Sequence, residues 1–337
     1  MAKATIFVGL DYHQDSVQVC VMDRSGSVLA NRNCDNDWRA IRAVVHRHGR
    51  GVRAAIEACG GAAALAEELV HQCRWSVDLA HPGYVARMKQ NPDKTDFGDA
   101  RMLADLERVG YLPRVWLAPH EVRELRRLVR YRQQLVGERR NLKLRVGALL
   151  REGRVPKPGV RPWSVAWLKW LGTQAELTDQ TRWIVDRQLQ RLECLNGEIA
   201  TVERQLATLT MEDPLVDQLT ELKGIGLVTA VTIRAEIGRF DRFRTGKQLA
   251  RFCGLSPRNA SSGQRQADAG LIKAGNPQLR AVLIETAHRL ARYDLRWAKL
   301  ATSLRRRGKP GSVVAAAIAN RWMRWLFHQM QPVTQAA

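Results

Sequence analysis

Apolar and polar positions follow two rhythms along the first hundred residues. Residues 5–10 (TIFVGL) form a short β-rich run, and residues 16–22 (SVQVCVM) alternate nearly in step. Asp23-Arg24-Ser25-Gly26 has hairpin-turn chemistry, so residues 27–33 are predicted to return as a third strand. Helical spacing over 37–48 gives way to a fourth strand at 52–57 (VRAAIE). A second helix at 62–73 and a fifth strand at 75–80 follow. Past His81-Pro82 the pattern turns helical, with an amphipathic stretch over 96–109.

The remainder reads as helix almost throughout. A long helical pattern over 121–151 is crowded with Arg and Lys, and Pro156, Pro158 and Pro162 break it. Trp163, Trp167 and Trp170 then fall at i, i+4 and i+7 on one predicted helical face. Such a stripe is more often packing than a platform for nucleobases, and is read as a core or dimer contact. Leu192, Leu195, Ile199, Val202, Leu206 and Leu209 step by three and four. That is a coiled-coil seam, fit for two long antiparallel helices or an oligomer contact. Glu212-Asp213-Pro214 ends it.

Three antiparallel strands followed by alternating helices and parallel strands is the order of an RNase H-like fold. The expected class is therefore an α/β N-terminal RNase H-like domain followed by a mostly α-helical middle and C-terminal domain. The divisions are 1–115, 116–212, 213–331 and a short tail at 332–337.

Charge narrows the partner. The chain has 54 Lys+Arg against 33 Asp+Glu, a formal net charge of +21. A chain this basic repels itself unless a polyanion screens it, so nucleic acid is the first partner to consider. The six cysteines are scattered without a C-x-x-C pair, which argues against a zinc ribbon or disulfide framework and suits a reducing cytoplasm. The N-terminal apolar run is too short for a signal peptide, and no run is long enough to span a membrane. A cytoplasmic location is expected.

Against that positive background four acids stand out. Asp11 closes the first strand pattern and Glu57 the fourth, and these strands are neighbours in an RNase H-like sheet. Asp96 and Asp99 sit three apart at a helix start, on one face, where the helix terminus favours negative charge. Singly, each has an ordinary explanation: Asp96 as an N-cap, Asp11 and Glu57 in solvated turns. Together they would repel unless a cation neutralised them. Hard oxygen ligands suit Mg²⁺, with Mn²⁺ as the alternative, and two ions about 4 Å apart would clamp a phosphodiester under attack.

Two C-terminal features add to this. Lys223-Gly224-Ile225-Gly226 resembles the turn of a helix-hairpin-helix element, whose backbone N–H groups can approach a DNA phosphate; a plain helix-breaking turn reads equally well. A loop of turn formers runs over 254–263 (GLSPRNASSG) and leads through Lys273-Ala274-Gly275-Asn276 to a helix holding Arg280. No histidine stands near its serines as a base; His288 is distant. A serine nucleophile there would need a metal as activator.

These pieces resemble the DEDD/serine transposases of insertion-sequence family one-ten, whose relatives include the Piv-type DNA invertases. The similarity runs from Gly9 to about Arg324. The first Asp after a strand matches Asp11, the E-A-x-G segment matches Glu57-Ala58-Cys59-Gly60, and K-T-D-x-x-D-A-R matches residues 94–101. The later G-L-x-P-R…S-G and K-x-G-N…L-R segments match residues 254–263 and 273–280. His81 stands where Asn is more usual.

The resemblance implies a RuvC-like domain holding metal on Asp11, Glu57, Asp96 and Asp99, and a nucleophile at Ser262, with Ser261 the adjacent competitor. Nucleic-acid contacts are expected at Lys94, Arg101, Lys223, Gly224, Gly226, Arg258, Lys273 and Arg280. The resemblance further implies a structured non-coding guide RNA paired with donor and target DNA. The assembly would be a homo-oligomer, a tetramer or dimer of dimers, in which one subunit's carboxylates act with another's serine. The competing readings are a RuvC-like junction endonuclease without a covalent intermediate and a non-catalytic nucleic-acid-binding protein on a decayed scaffold. A sugar-kinase relative would need Gly-rich phosphate loops, for which Gly60-Gly61 is too little.

Overall fold

The computed structural model describes residues 5–88, 95–156, 158–259, 268–272 and 275–334. The chain divides into two compact units, Met1–Ala118 and Pro119–Ala337.

The first unit holds β1 (Ile6–Tyr12), β2 (Ser16–Asp23), β3 (Val28–Asp35), α1 (Trp38–Val45), β4 (Val52–Glu57), α2 (Ala62–Cys73), β5 (Ser76–Ala80), α3 (Pro82–Met88), α4 (Asp96–Arg108) and β6 (Arg114–Val115). The sheet order is β3-β2-β1-β4-β5-β6. β1 runs antiparallel to β2 and parallel to β4, β4 runs parallel to β5, and β6 returns antiparallel. The sheet is thus mixed, inside an α/β unit.

Strand alternation sorts its residues between two faces. Val8, Leu10, Val19, Val21, Ala54 and Ile56 pack in one core with Ile41 and Val45 of α1 and Leu65 and Leu69 of α2. On the opposite face Phe7, Cys20 and Met22 meet Ala100 and Ala104 of α4. Gly9 lies on that face too, and an added Cβ there would sit 1.8 Å from the Ala100 carbonyl oxygen and 2.5 Å from the Ala104 nitrogen. Helix backbone therefore rests directly on strand backbone.

Both ends of α4 are tied down. Thr95 is its N-cap, with Oγ1 accepting from the Gly98 N–H at 3.2 Å, so Asp96 occupies the first helical position and is not the cap. Gln18 Nε2 donates to Asn31 Oδ1 at 2.7 Å, and Asn31 Nδ2 donates to the Phe97 carbonyl at 3.0 Å. At the far end Glu107, only 1% exposed, accepts both 3.1 and 3.2 Å bonds from Arg114 and pairs closely with Arg53. Burial pushes the Glu107 carboxyl above its ordinary range, against the pull of Arg114 and Arg53. A buried acid so paired is costly to disrupt, because removing either arginine strands the charge.

The second unit holds α5 (His120–Glu152), α6 (Val165–Thr173), α7 (Asp179–Leu209), α8 (Pro214–Thr220), α9 (Leu227–Ile237), α10 (Gly246–Phe252), β7 (Pro257–Asn259), β8 (Asp268–Leu271), α11 (Pro277–Tyr293), α12 (Leu295–Arg306) and α13 (Gly311–Thr334). α5 and α7 lie antiparallel within the one chain, linked by Arg132–Glu203 at 2.6 Å and Arg139–Asn196 at 3.1 Å. The leucine seam of α7 feeds two cores. Leu192 joins the outer one beneath α6, while Ile199, Val202 and Leu206 join the larger core built on α9, α11 and α13. Leu209 is 54% exposed, so the seam ends a turn early. The tryptophan stripe also differs from the expected helical face: Trp163 precedes α6 with a φ of 65°, and only Trp167 and Trp170 are helical.

Gly9→Ala should lower the melting temperature of the first unit, at a cost near the upper end of the roughly 1–3 kcal/mol of overpacking. Gly60→Ala, with no described atom within 4 Å of the added Cβ, should change little. Paired thermal melts check this; equal melting for the two variants would show that α4 yields at no cost.

Candidate functional site

Asp11 is inside β1, where the ladder sets it opposite Gln18. β4 continues beside it, Leu10 against Ile56, so Glu57 follows Asp11 at the strand ends on the sheet face that carries α4. Asp96 and Asp99 occupy the first turn of α4. The seating of α4 on Gly9 therefore brings a helix start over a strand end, and the acids converge.

The electrostatics record that convergence. Burial raises the Asp11 carboxyl above its ordinary value; His13 works against this, while Asp99, Asp96 and Glu57 each add to it. Asp11 Oδ2 is shielded from water and accepts no hydrogen bond among the described residues. His13 Nε2 stands 3.5 Å from that atom and 3.2 Å from Asp96 Oδ2. Ligand atoms of Asp11, His13 and Asp96 all lie within 4.8 Å of one another.

A divalent cation fits these donors. Carboxylate oxygens of two or more acids converge from a rigid strand and a helix terminus, and an orphaned buried oxygen has a lone pair that a cation would satisfy. His13 escaped the sequence reading. Its signal was present, since it lies two positions beyond Asp11, the spacing that keeps side chains on one face of an extended chain. Arg101 is exposed on α4, one turn beyond the acids, and is a cation that a phosphate could meet.

The second unit positions the other residues singled out. Lys223-Gly224-Ile225-Gly226 forms the turn between α8 and α9, with Gly224 at a φ of 84° that favours glycine and Gly226 as the N-cap of α9. Lys223 borders that turn. Arg258 is exposed on β7, and Arg280 on α11 keeps Nη1 shielded from water without a hydrogen-bond partner among the described residues. Lys94, Ser261, Ser262 and Lys273 lie outside the described residues.

A family profile described as a transposase matches residues 8–154, and a second, the transposase IS116/IS110/IS902 family, matches residues 216–302. Among relatives, a probable family 20 transposase of Pseudomonas aeruginosa is 30% identical over 328 residues, 95% of either chain. The transposase for insertion sequence element IS1111A of Coxiella burnetii is 26% identical over 330 residues, 94% of this chain and 88% of that one. The candidate transposase y4qE of Sinorhizobium fredii is 31% identical over 224 residues, 66% of this chain and about half, 54%, of its own length.

Asp11 also makes stability depend on pH. A carboxylate held above its unfolded value of 3.8 costs stability wherever it is ionised, so the cost appears as pH rises through the raised value. Without metal, Asp11→Asn should therefore melt higher than wild type at neutral pH, the gap closing as pH falls. Added MnCl₂ should raise the melting temperature of wild type and not of the variant. Thermal melts in EDTA and in MnCl₂ across pH test both; an equal metal response would remove Asp11 from the donor set.

Proposed function

Because this chain belongs to the IS110 family of transposases, we propose that it cuts and exchanges DNA strands through a metal-assisted covalent phosphoserine intermediate. The observation that carries the reading is the acid cluster around the orphaned Asp11 oxygen. Donor density of that kind is unnecessary for folding and costly to a stable unit. The sheet order, with β2 antiparallel to β1 and β4 and β5 parallel to it, supports an RNase H-like, RuvC-like assignment of the first unit.

In this proposal Asp11, Glu57, Asp96 and Asp99 hold Mg²⁺ or Mn²⁺, with His13 beside them. When bound, the metal lowers the pKa of an attacking hydroxyl and neutralises charge building on the phosphate. Ser262, in the small-residue sequence after Asn259, is the nucleophile. Its Oγ forms a bond to phosphorus, the bond from phosphorus to the DNA 3′ oxygen breaks, and that oxygen leaves as a 3′ hydroxyl after taking up a proton. A 3′ hydroxyl of the exchanging strand then attacks the phosphoserine and releases the serine, so bond energy is kept and no external cofactor is consumed. Lys94, Arg101, Lys223, Arg258, Lys273 and Arg280 neutralise phosphates, and the backbone N–H groups at Gly224 and Gly226 approach one directly.

The same proposal assigns target choice to a structured non-coding guide RNA, which the large positive charge would help to hold beside DNA. It assigns the working form to a homo-oligomer, a tetramer or dimer of dimers. The division into a domain over 1–115, a basic helical region over 116–212 and a serine-bearing domain over 213–331 belongs to this reading as well. Among the described residues no helix is long and apolar enough to cross a membrane.

Ser262→Ala should keep DNA and RNA binding while losing both the protein–DNA adduct and recombination. Asp11→Asn should reduce strand transfer by roughly three orders of magnitude or more while DNA binding persists. A denaturing gel with end-labelled DNA reads both. Cleavage that survives in Ser262→Ala with no adduct in wild type would assign the chain to the hydrolytic junction nucleases. An adduct that disappears only in Ser261→Ala would move the nucleophile by one residue.

A further inference from the structure

At the outer end of the α5–α7 pair, α6 and the segment before it enclose a cavity of about 880 Å³. Its walls combine two chemistries. Trp167 forms the floor: it is buried in the outer core with Leu142, Val146 and Leu171. Trp163 and Trp170 are half-buried and flank it, with ring centroids 4.6 and 5.8 Å from that of Trp167. Lys143 Nζ lies 5.0 Å from the centre of the Trp163 ring. Arg151, Arg154 and Arg161 also line the cavity and are exposed, and no acidic residue among the described ones lines it.

Packing accounts fully for Trp167 and in part for Trp163 and Trp170, which lie against the same outer core. It does not explain why the exposed parts of two indoles border a volume of ligand size, nor why the charge there has one sign. The groove between α5 and α7 offers a contrast: at about 630 Å³ it is lined by Glu138 and Glu198 together with Arg145 and Arg191, and holds no tryptophan. Backbone strain points to the same place. Arg74, Arg154 and Trp163 are the non-glycine residues with positive φ among the described residues, and two of these three line the cavity. An indole face selects a planar ring, and guanidinium groups select an anion beside it.

We propose that this cavity receives one unpaired nucleotide of a nucleic-acid strand, its base against Trp163 and Trp170 and its phosphate among Arg151, Arg154 and Arg161. The choice of a nucleotide over another anionic ring rests on the DNA-handling function proposed above. The recognition is by stacking and charge, so it tolerates any base and excludes paired ones, whose faces are covered. Deoxyribose and ribose strands share this chemistry.

Fluorescence anisotropy with labelled oligo(dT) and oligo(U), and with a duplex of the same length, tests the assignment. Trp163→Ala should weaken single-strand binding roughly tenfold and leave duplex binding unchanged, while Trp163→Phe retains most of the affinity. Arg154→Gln and Arg161→Gln should each make single-strand binding less sensitive to salt, the logarithmic slope falling by about 0.7 for every phosphate no longer neutralised. A larger effect on one oligonucleotide names the strand that the pocket holds. Photo-crosslinking of wild type with bromouracil-containing strands, mapped by mass spectrometry, gives a readout that needs no variant to fold, and the adduct is expected on Trp163 or Trp170. Adducts confined to other residues, with unchanged affinity in Trp163→Ala, would overturn the pocket while leaving the strand-exchange reading intact. Absence of both single-strand and duplex binding by wild type would overturn the two together.

Discussion

The contact between Gly9 and the backbone of α4 is the constraint on which the N-terminal unit depends. Most helices stand off a sheet by the length of two side chains; here the Ala100 carbonyl occupies the space a Cβ would need. Ala100 and Ala104 keep the helix side of the contact equally thin. With that separation removed, the first turn of α4 comes level with the end of β1, and side chains as short as aspartate can share one small volume. Glu107, held by Arg53 and Arg114, pins the other end of the same helix. Placement of the acids is therefore set by backbone packing and a buried ion-pair network, with little left to loops.

That placement opposes the stability of the unit. Four acids crowd two strand ends and a helix start, and Asp11 among them carries an oxygen without a hydrogen bond among the described residues. Ionised neighbours raise the energy of the fold in which they meet, and only a cation or a proton relieves them. His13 provides partial relief from within the chain. A protein of net charge +21 has ample cations to spread around these acids, yet among the described residues the side chain within 3.5 Å of both Asp11 and Asp96 is an imidazole.

The sequence made much of the N-terminal unit readable because its strands and helices are bounded by local chemistry. Residues 52–57 and 62–73 coincide with β4 and α2, since Gly61, at a φ of 90°, and Arg74, in the left-handed region, mark the helix ends. β1 runs past its apolar residues through Tyr12 because the ladder with Val17 and Gln18 continues, a long-range fact that no window of residues contains. β6 is two residues long and forms only where β5 offers an edge, so periodicity had nothing to detect. His13 was legible in spacing but not in type, as a lone histidine beside an acid is commonplace. Trp163 shows the limit of helical counting. Its spacing matched a face, while three nearby prolines and a left-handed φ placed the ring against Trp167 from outside the helix.

The α5–α7 pair also acts as a measure of length. α5 has 33 residues, which at 1.5 Å each extend roughly 50 Å, against about 34 Å for a turn of double helix. The two apolar cores at its ends share this one pair of helices, joined along the way by cross-helix polar links. Whatever the outer end grips is thus kept at a set remove from the larger core: Val129 and Val146, one from each core, stand roughly 25 Å apart along α5 at 1.5 Å per residue. Deleting or inserting a whole helical turn in both helices would reset that interval by about 5 Å without touching either core. Spacing along a nucleic acid would in this way be encoded as helix length, open to stepwise change during evolution.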